Sequence, residues 1–371
     1  MRVLLVGPAP PPYGGMALQA QQLEKLLRRD GVQAEVFASN FAFPSAIRLL
    51  DQVPVVRTCL RAGLICFRLA PRVRQVDVVH ILAASWLYFF LTVYPAVLLG
   101  RAYGKRVVLN YRGGAAQAFF RRSGWLAAPA FRLSALVTAP SEFLATVIRH
   151  RFDVPVSIVP NILDHSLFEY RQRTTFRPRM LVTRRLEKIY DVASVLKAFR
   201  AVQERHADAS LWIAGSGGEE AHLRSLASAW GLRNVRFLGD VAHKDLAAVY
   251  RECDIYVNAS LVDNFPGGLL EASAAGLVIV TTGAGGIPFI YENGRTAWVV
   301  EPGDWRGLAR AIESVLESPA RASDMTRAAA AVVRACDWTE VRKPLFEAYG
   351  FSVDALPAAP AGLNGARCAA G

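Results

Sequence analysis

The run Ser260-Leu261-Val262-Asp263-Asn264-Phe265-Pro266-Gly267-Gly268-Leu269-Leu270-Glu271, continuing through Ala272-Ser273-Ala274-Ala275 to Gly276, holds the residue types and spacing best suited to chemistry. Asparagine caps helices, proline suits an early helical position, and glycine ends them. The pattern predicts a helix opening after Asn264 and closing at Gly276. Open N–H groups at Gly267, Gly268 and Leu269, backed by a helix dipole of about +0.5 charge, would form a cradle for phosphate. The two glycines would let a ligand approach the backbone. Asp263 and Glu271 stand eight positions apart, one before the helix and one inside it. Carboxylates are poor partners for phosphate but good acceptors for sugar and ribose hydroxyls. Amides for phosphate and carboxylates for hydroxyls fit a nucleotide-sugar; a glycine-capped helix with two solvated acids is the plainer reading.

The elements that must position these residues alternate along the chain. Strand-like runs fall at 2–7, 33–38, 76–81, 106–110, 135–139 and 155–159, then at 180–184, 210–214, 235–238, 254–258, 277–281 and 297–300. Helical stretches such as Leu18–Arg29, Val192–Arg205, Glu219–Trp230 and Trp305–Glu317 separate most of them. Such alternation predicts an α/β chain of two Rossmann-like, doubly wound domains, with ligand at the carboxyl ends of the strands. The expected domains run over 1–163 and 164–337, followed by a segment at 338–350 and an Ala/Pro/Gly-rich tail over 354–371 that is expected to be disordered. The polar stretch Asn161–Arg179 reads as the boundary.

Composition narrows the class. With 371 residues, 53% apolar and 20% charged, the chain is neither disordered nor fibrous. Its 5 cysteines are scattered without a Cys-x-x-Cys pair, which argues against a disulfide framework or a cysteine zinc site. The net charge of +12 lies wholly in residues 1–163, which hold 19 of the 43 basic and 7 of the 31 acidic residues. An anionic surface near the first half is the expectation, with simple solubility as the alternative. The start, Met1 to Gly7, is too short in its apolar part for a secretory leader and reads as a buried strand. The uncharged run Ile81–Gly100 is long enough to span a bilayer, but its flanking strands favour a core helix. In the segment 55–72, Arg57, Arg61, Arg68 and Arg72 fall within about 60° on a helical wheel, beside an apolar stripe of Val56, Leu60 and Phe67. A membrane-surface helix and an ordinary solvated amphipathic helix both carry that pattern.

At Asp263–Glu271 the chain resembles the E-x7-E signature of the retaining glycosyltransferases of family 4. Further matches follow in the same order: Leu211-Trp-Ile-Ala-Gly-Ser-Gly217, Asn234-Val-Arg-Phe-Leu-Gly239, Cys253-Asp254-Ile-Tyr-Val-Asn-Ala-Ser260 and Gly285-Gly-Ile-Pro288. In the first half Gly14-Gly15, Ser141-Glu142-Phe143 and Val159-Pro160-Asn161 also correspond, so the resemblance covers roughly 2–350. It implies the GT-B fold, two Rossmann-like domains facing across a cleft, with 1–163 on the acceptor and membrane side, 164–337 binding a UDP- or GDP-sugar donor, and 338–350 crossing back to the first domain. It also implies a glycan or polyprenyl/lipid-linked acceptor of a bacterial cell-surface polysaccharide or glycolipid. Carried over by position, Glu271 would hold the ribose hydroxyls and Asp263 the donor sugar, with Gly267, Gly268, Leu269, Leu270 and Gly215 around the donor. Arg184 would bind phosphate with Lys188 beside it, and Gly14 and Gly15 would admit the donor phosphates. Three departures stand out. Asp263 replaces a glutamate, Lys188 lies four residues after Arg184 without the usual neighbouring glycine, and Arg112 replaces a histidine near the donor sugar.

The implied reaction is metal-independent and retaining, with the leaving phosphate oxygen taking the acceptor proton and no resident cofactor. No Asp-x-Asp occurs to clamp a metal-diphosphate, and the six histidines show no metal spacing. The implied location is cytoplasmic, peripheral on the inner face of the cell membrane. Other readings are a non-catalytic scaffold subunit of a polysaccharide-assembly complex and a nucleotide-sugar epimerase. A nucleic-acid binder is a third class, suggested by the charge alone, and no recognition motif supports it.

Overall fold

The computed structural model describes residues 1–10, 14–41 and 54–351. The chain divides into two compact units: Met1–Ile162 with the residues from Trp338 on, and Leu163–Asp337. The expected tail at 354–371 lies outside the described residues.

In the first unit the runs read as strands form one parallel six-stranded sheet. They are β1 (Arg2–Gly7), β2 (Gln33–Ala38), β3 (Val78–Ala83), β4 (Arg106–Tyr111), β5 (Leu136–Ala139) and β6 (Val156–Ile158), in the order β2-β1-β3-β4-β5-β6. The third strand lies two residues later than its run at 76–81 predicted, paired through Val3↔Val78 and Val6↔Ile81. Residues alternate between the faces of the sheet. Val3 and Leu5 join the core under α1 (Gly15–Arg29), while Leu4 and Val6 face the other cluster. That second cluster takes in α2 (Pro54–Arg74), α3 (Tyr94–Ala102), α4 (Ala116–Leu133) and α5 (Glu142–Phe152).

The run Ile81–Gly100 is not one helix. Its first residues finish β3, Phe89–Val93 form a wide π-helical turn, and α3 follows. Pro95 cannot donate a backbone hydrogen bond, so the ladder is interrupted where the wide turn hands over to α3. No helix among the described residues is long and apolar enough to cross a membrane.

The second unit repeats the plan with β7 (Arg179–Thr183), β8 (Ser210–Ala214), β9 (Val235–Gly239), β10 (Ile255–Asn258), β11 (Val278–Thr282) and β12 (Trp298–Val300). Their order is β12-β11-β10-β7-β8-β9, so winding reverses between β7 and β10. Around them run α6 (Val192–Arg205), α7 (Glu220–Ala229), α8 (His243–Glu252), α9 (Gly267–Ala274), α10 (Trp305–Glu317) and α11 (Pro319–Val333). The division between the units falls at Ile162/Leu163, near the start of the polar stretch read as a boundary, and the rest of that stretch is part of this unit. Arg173 is 3% exposed, pairs with Asp254 at 3.0 Å, and donates to the carbonyls of Ala275, Gly276 and Cys253 at 2.8–2.9 Å. A buried guanidinium is tolerable only when its donors are used this fully.

The last helix, α12 (Trp338–Tyr349), packs on β4 and β6 in the first unit. There Trp338 Nε1 donates to Asp30 at 2.8 Å, and Arg106 Nε donates to the Ala348 carbonyl at 2.8 Å.

Candidate functional site

In open α/β sheets, ligands bind beyond the carboxyl ends of the strands where winding reverses. In the second unit that point lies between β7 and β10. Arg184 directly follows β7, Asn258 ends β10, and Ser260, Asp263 and α9 follow it. The structure brings Arg184, Asp263 and the start of α9 together at this edge.

Arg184 is the most heavily engaged of them. Its Nε donates to Asn258 Oδ1 at 3.1 Å, one terminal nitrogen donates to Ser260 Oγ at 3.1 Å, and it forms an ion pair with Asp263. Its guanidinium lies 4.8 Å from the centre of the Tyr190 ring. Only 12% of the Arg184 side chain and 13% of the Asp263 side chain are exposed, so water screens this pair weakly. Asp263 Oδ1 also accepts from the Asn264 amide at 2.9 Å, and its carbonyl accepts from Gly286 at 2.9 Å. The glycine pair of Gly285-Gly286-Ile287-Pro288 makes this possible. A Cβ on Gly285 or Gly286 would overlap the carbonyl of Asp263 or Asn264, and Gly285 has φ +56°.

The helix start differs in detail from the sequence expectation. Asn264 is not the cap; Pro266 is, in extended conformation, and α9 begins at Gly267. The amides of Leu269 and Leu270 already reach the Pro266 carbonyl at 3.2 and 3.4 Å. Both side chains are buried in the apolar cluster behind the helix, so neither residue presents itself to a ligand. The amides of Gly267 and Gly268 remain open. A Cβ at Gly267 would meet open space, whereas one at Gly268 would strike Tyr256 and Thr183. Gly268 is therefore small so that α9 can seat on β7 and β10. Gly215 serves a similar internal purpose: with φ +137° it passes against the Arg184 carbonyl and donates to Gly239 at 2.7 Å.

Glu271 lies one turn into α9 with 15% of its side chain exposed. Tyr250 donates to Oε2 at 2.8 Å, and His243 Nε2 lies 3.2 Å from Oε1. The hydrogen bond to Glu271 raises the His243 pKa above its ordinary value, against the opposing effect of burial. Burial, and then the Glu271 charge, hold the Tyr250 hydroxyl well above the usual phenol range. The sequence reading missed both partners, since it weighed the six histidines, His243 among them, for metal spacing alone. Tyr190, Asn258 and Ser260, which orient Arg184, were also missed as individuals, although the last two sit inside a quoted motif. Lys188 is exposed at the start of a short 3-10 turn and makes no ion pair among the described residues.

The first unit holds the remaining candidates. Gly14 caps α1 in extended conformation, and a Cβ on Gly14 or Gly15 would meet open space. Arg112 turns inward: one terminal nitrogen donates to Asn110 Oδ1 at 3.2 Å and the other to Asn161 Oδ1. It lines a small interior cavity of about 20 Å3 with Gln19, His80 and Asn110. With only neutral acceptors near it, burial brings its pKa down to about 10. Burial, and then the Arg112 charge, push His80 down to about 3. No group of three or more metal-ligating side chains occurs among the described residues.

Residues 169–332 match the family model described as glycosyl transferases group 1, and residues 13–167 match that of glycosyltransferase family 4. A glycogen synthase of Mycobacterium tuberculosis is 30% identical over 291 residues, covering 73% of this chain and 67% of its own length. A D-inositol 3-phosphate glycosyltransferase of an Arthrobacter strain is 27% identical over 238 residues, covering 59% of this chain and 56% of its own. Among solved structures, HepE of Anabaena in complex with UDP-glucose superposes with a TM-score of 0.75 at 18% identity, covering 94% of this chain and 99% of that one.

Proposed function

The chain belongs to glycosyltransferase family 4, with the GT-B fold, and we propose that it moves a sugar from a UDP- or GDP-sugar to a glycan or lipid-linked acceptor in bacterial cell-surface polysaccharide or glycolipid synthesis. One observation carries the reading. At the winding reversal of the second sheet, two open amides at Gly267 and Gly268, a guanidinium at Arg184 and carboxylates at Asp263 and Glu271 converge on one edge. The similar fold of HepE in complex with UDP-glucose agrees with a nucleotide-sugar.

The donor diphosphate sits over the Gly267 and Gly268 amides, where the helix dipole favours negative charge. Arg184 exchanges its pairing with Asp263 for a phosphate oxygen, and the released Asp263 carboxylate accepts from the sugar. Glu271, held by Tyr250 and His243, accepts from the ribose hydroxyls. Lys188, free to reorient, supplies a second positive charge. In the transfer step the bond from the anomeric carbon to the phosphate oxygen breaks. A bond to the acceptor oxygen forms on the same face, and the acceptor proton passes to the departing phosphate. The α9 amides, Arg184 and Lys188 offset the charge that develops there, so the step draws on no metal ion. We assign acceptor engagement to the first unit. We place the activity in the cytoplasm at the inner face of the membrane.

Thermal melting against UDP-, GDP- and ADP-sugars, followed by product analysis with and without acceptor, tests this. Stabilisation by one donor, and acceptor-dependent nucleotide release, are expected. Stabilisation without release under any acceptor would point to a binding subunit, and a changed donor sugar without acceptor to an epimerase.

A further inference from the structure

We propose that the outer face of α2, α3 and α4 docks on the surface of an anionic phospholipid bilayer. The inference is independent of the nucleotide-sugar reading, because it rests on the side of the first sheet away from α1. The inner sides of these helices are consumed by the core, through Leu69 and Val73, Ala96 and Val97, and Phe120 and Phe131. Neighbouring helices pack side by side, α2 on α3 and α3 on α4. Their outward sides therefore form a continuous surface.

That surface has an unusual composition. Over residues 63–74, 94–102 and 116–133 the three helices contain seven arginines and no lysine, aspartate or glutamate. Between them they expose Phe67 at 80%, Trp125 at 70%, Leu98 at 46% and Leu126 at 44%. On α4, Arg121, Trp125 and Arg132 fall within about 40° of one another on the wheel, directly opposite the buried residues. Arg101, Arg121, Arg122 and Arg132 make no ion pair among the described residues. The end of α2 and Tyr103 enclose an open groove of about 720 Å3, lined also by Phe67, Arg68, Arg72 and Arg74.

Solvated helices of this chain look different. In the second unit Glu220 pairs with Arg224 on α7, Arg200 with Glu204 on α6, and Asp324 with Arg327 on α11. Alternating signs suit water and neighbouring side chains; a single sign beside exposed apolar groups suits an anionic interface. Guanidinium groups bind phosphate in a bidentate manner, and a tryptophan sits at a bilayer interface with its ring in the apolar layer and its N–H in the wet one. Leu98 and Leu126 discriminate between partners. They can enter an acyl layer, but they can neither stack on bases nor hydrogen-bond to a polysaccharide.

Flotation of the full chain with vesicles tests the proposal. Wild type is expected to float with phosphatidylglycerol-containing vesicles, not with pure phosphatidylcholine, and to be released by high salt. Arg121→Gln with Arg122→Gln, and separately Trp125→Ser, should each weaken capture at least tenfold, in line with the contribution of single basic residues near an anionic surface. Melting temperatures and the response to a UDP- or GDP-sugar should stay unchanged in both variants. Failure of wild type to float, indifference of flotation to these substitutions, or tighter capture by heparin or single-stranded DNA than by vesicles would overturn it. Loss of the donor response in wild type with flotation intact would overturn the transfer reading instead.

Discussion

The two units share a winding plan but treat charge in opposite ways. In the second, the functional ions other than Lys188 have partners: Arg184 lies on Asp263, and His243 and Tyr250 lie on Glu271. In the first, Arg112 rests on two neutral amide oxygens and the outer helices carry arginines without acids. A buried ion without a counter-ion is costly, and a half-buried pair is weakly screened. The second unit has therefore spent its charges on fixing local geometry, ready for exchange with a ligand. On its outer helices the first also pairs Arg72 with Glu35, but it leaves Arg101, Arg121, Arg122 and Arg132 without an acid among the described residues, open to an external anion.

The strongest way to break this contrast is to remove the second unit's carboxylate. Glu271→Gln should lower kcat/KM for transfer about a hundredfold, the size expected for a lost hydrogen bond to a charged group, and should abolish donor stabilisation in melting. Unchanged kinetics would remove Glu271 from the site. Next, Arg184→Met leaves the Asp263 carboxylate without its ion-pair partner. A loss of about 3 kcal/mol in denaturant unfolding is expected, confined to the second unit's transition. An unaltered midpoint would mean that the pair is dispensable.

The two histidines sharpen the comparison through opposite signs. His80, buried beside Arg112, has a folded pKa near 3, far below its unfolded value. Unfolding therefore takes up a proton as pH falls, and stability should decline from about pH 6.5 toward 3. His80→Gln should flatten that limb in a melting series over the same range. His243 has a raised folded pKa, set first by its hydrogen bond to Glu271. Its contribution is fully present below about pH 6.5 and fades as pH rises through the folded value. His243→Gln should cost about 0.5–1 kcal/mol below that pH and progressively less above it, as suits a partly exposed pair. A gap that widened with pH would sink the assignment.

Much of the architecture was legible in the residue order. Apolar runs such as Val3 to Val6 and Val278 to Thr281 are too short for helices and bounded by turn residues, so all twelve strands could be placed within about two positions. The run Ile81–Gly100 was harder, because a strand end and a helix start are both apolar and hydropathy does not separate them. Gly267 and Gly268 announced a helix start, yet their different purposes were hidden: one faces open space, the other packs on Thr183 and Tyr256.

The sequence by itself determined the two doubly wound sheets, the phosphate-friendly helix start and the basic bias of the first half, since these follow from local periodicity, turn chemistry and counting. Only the tertiary structure decided that Arg184 meets Asp263, that His243 and Tyr250 grip Glu271, and that Arg112 points inward to Asn161. Those partners come from separate segments, and strand order brings each set to the carboxyl edge of its own sheet. Which strand lies beside which is decided by the packing of whole helices on the sheet, a long-range property that no local pattern encodes.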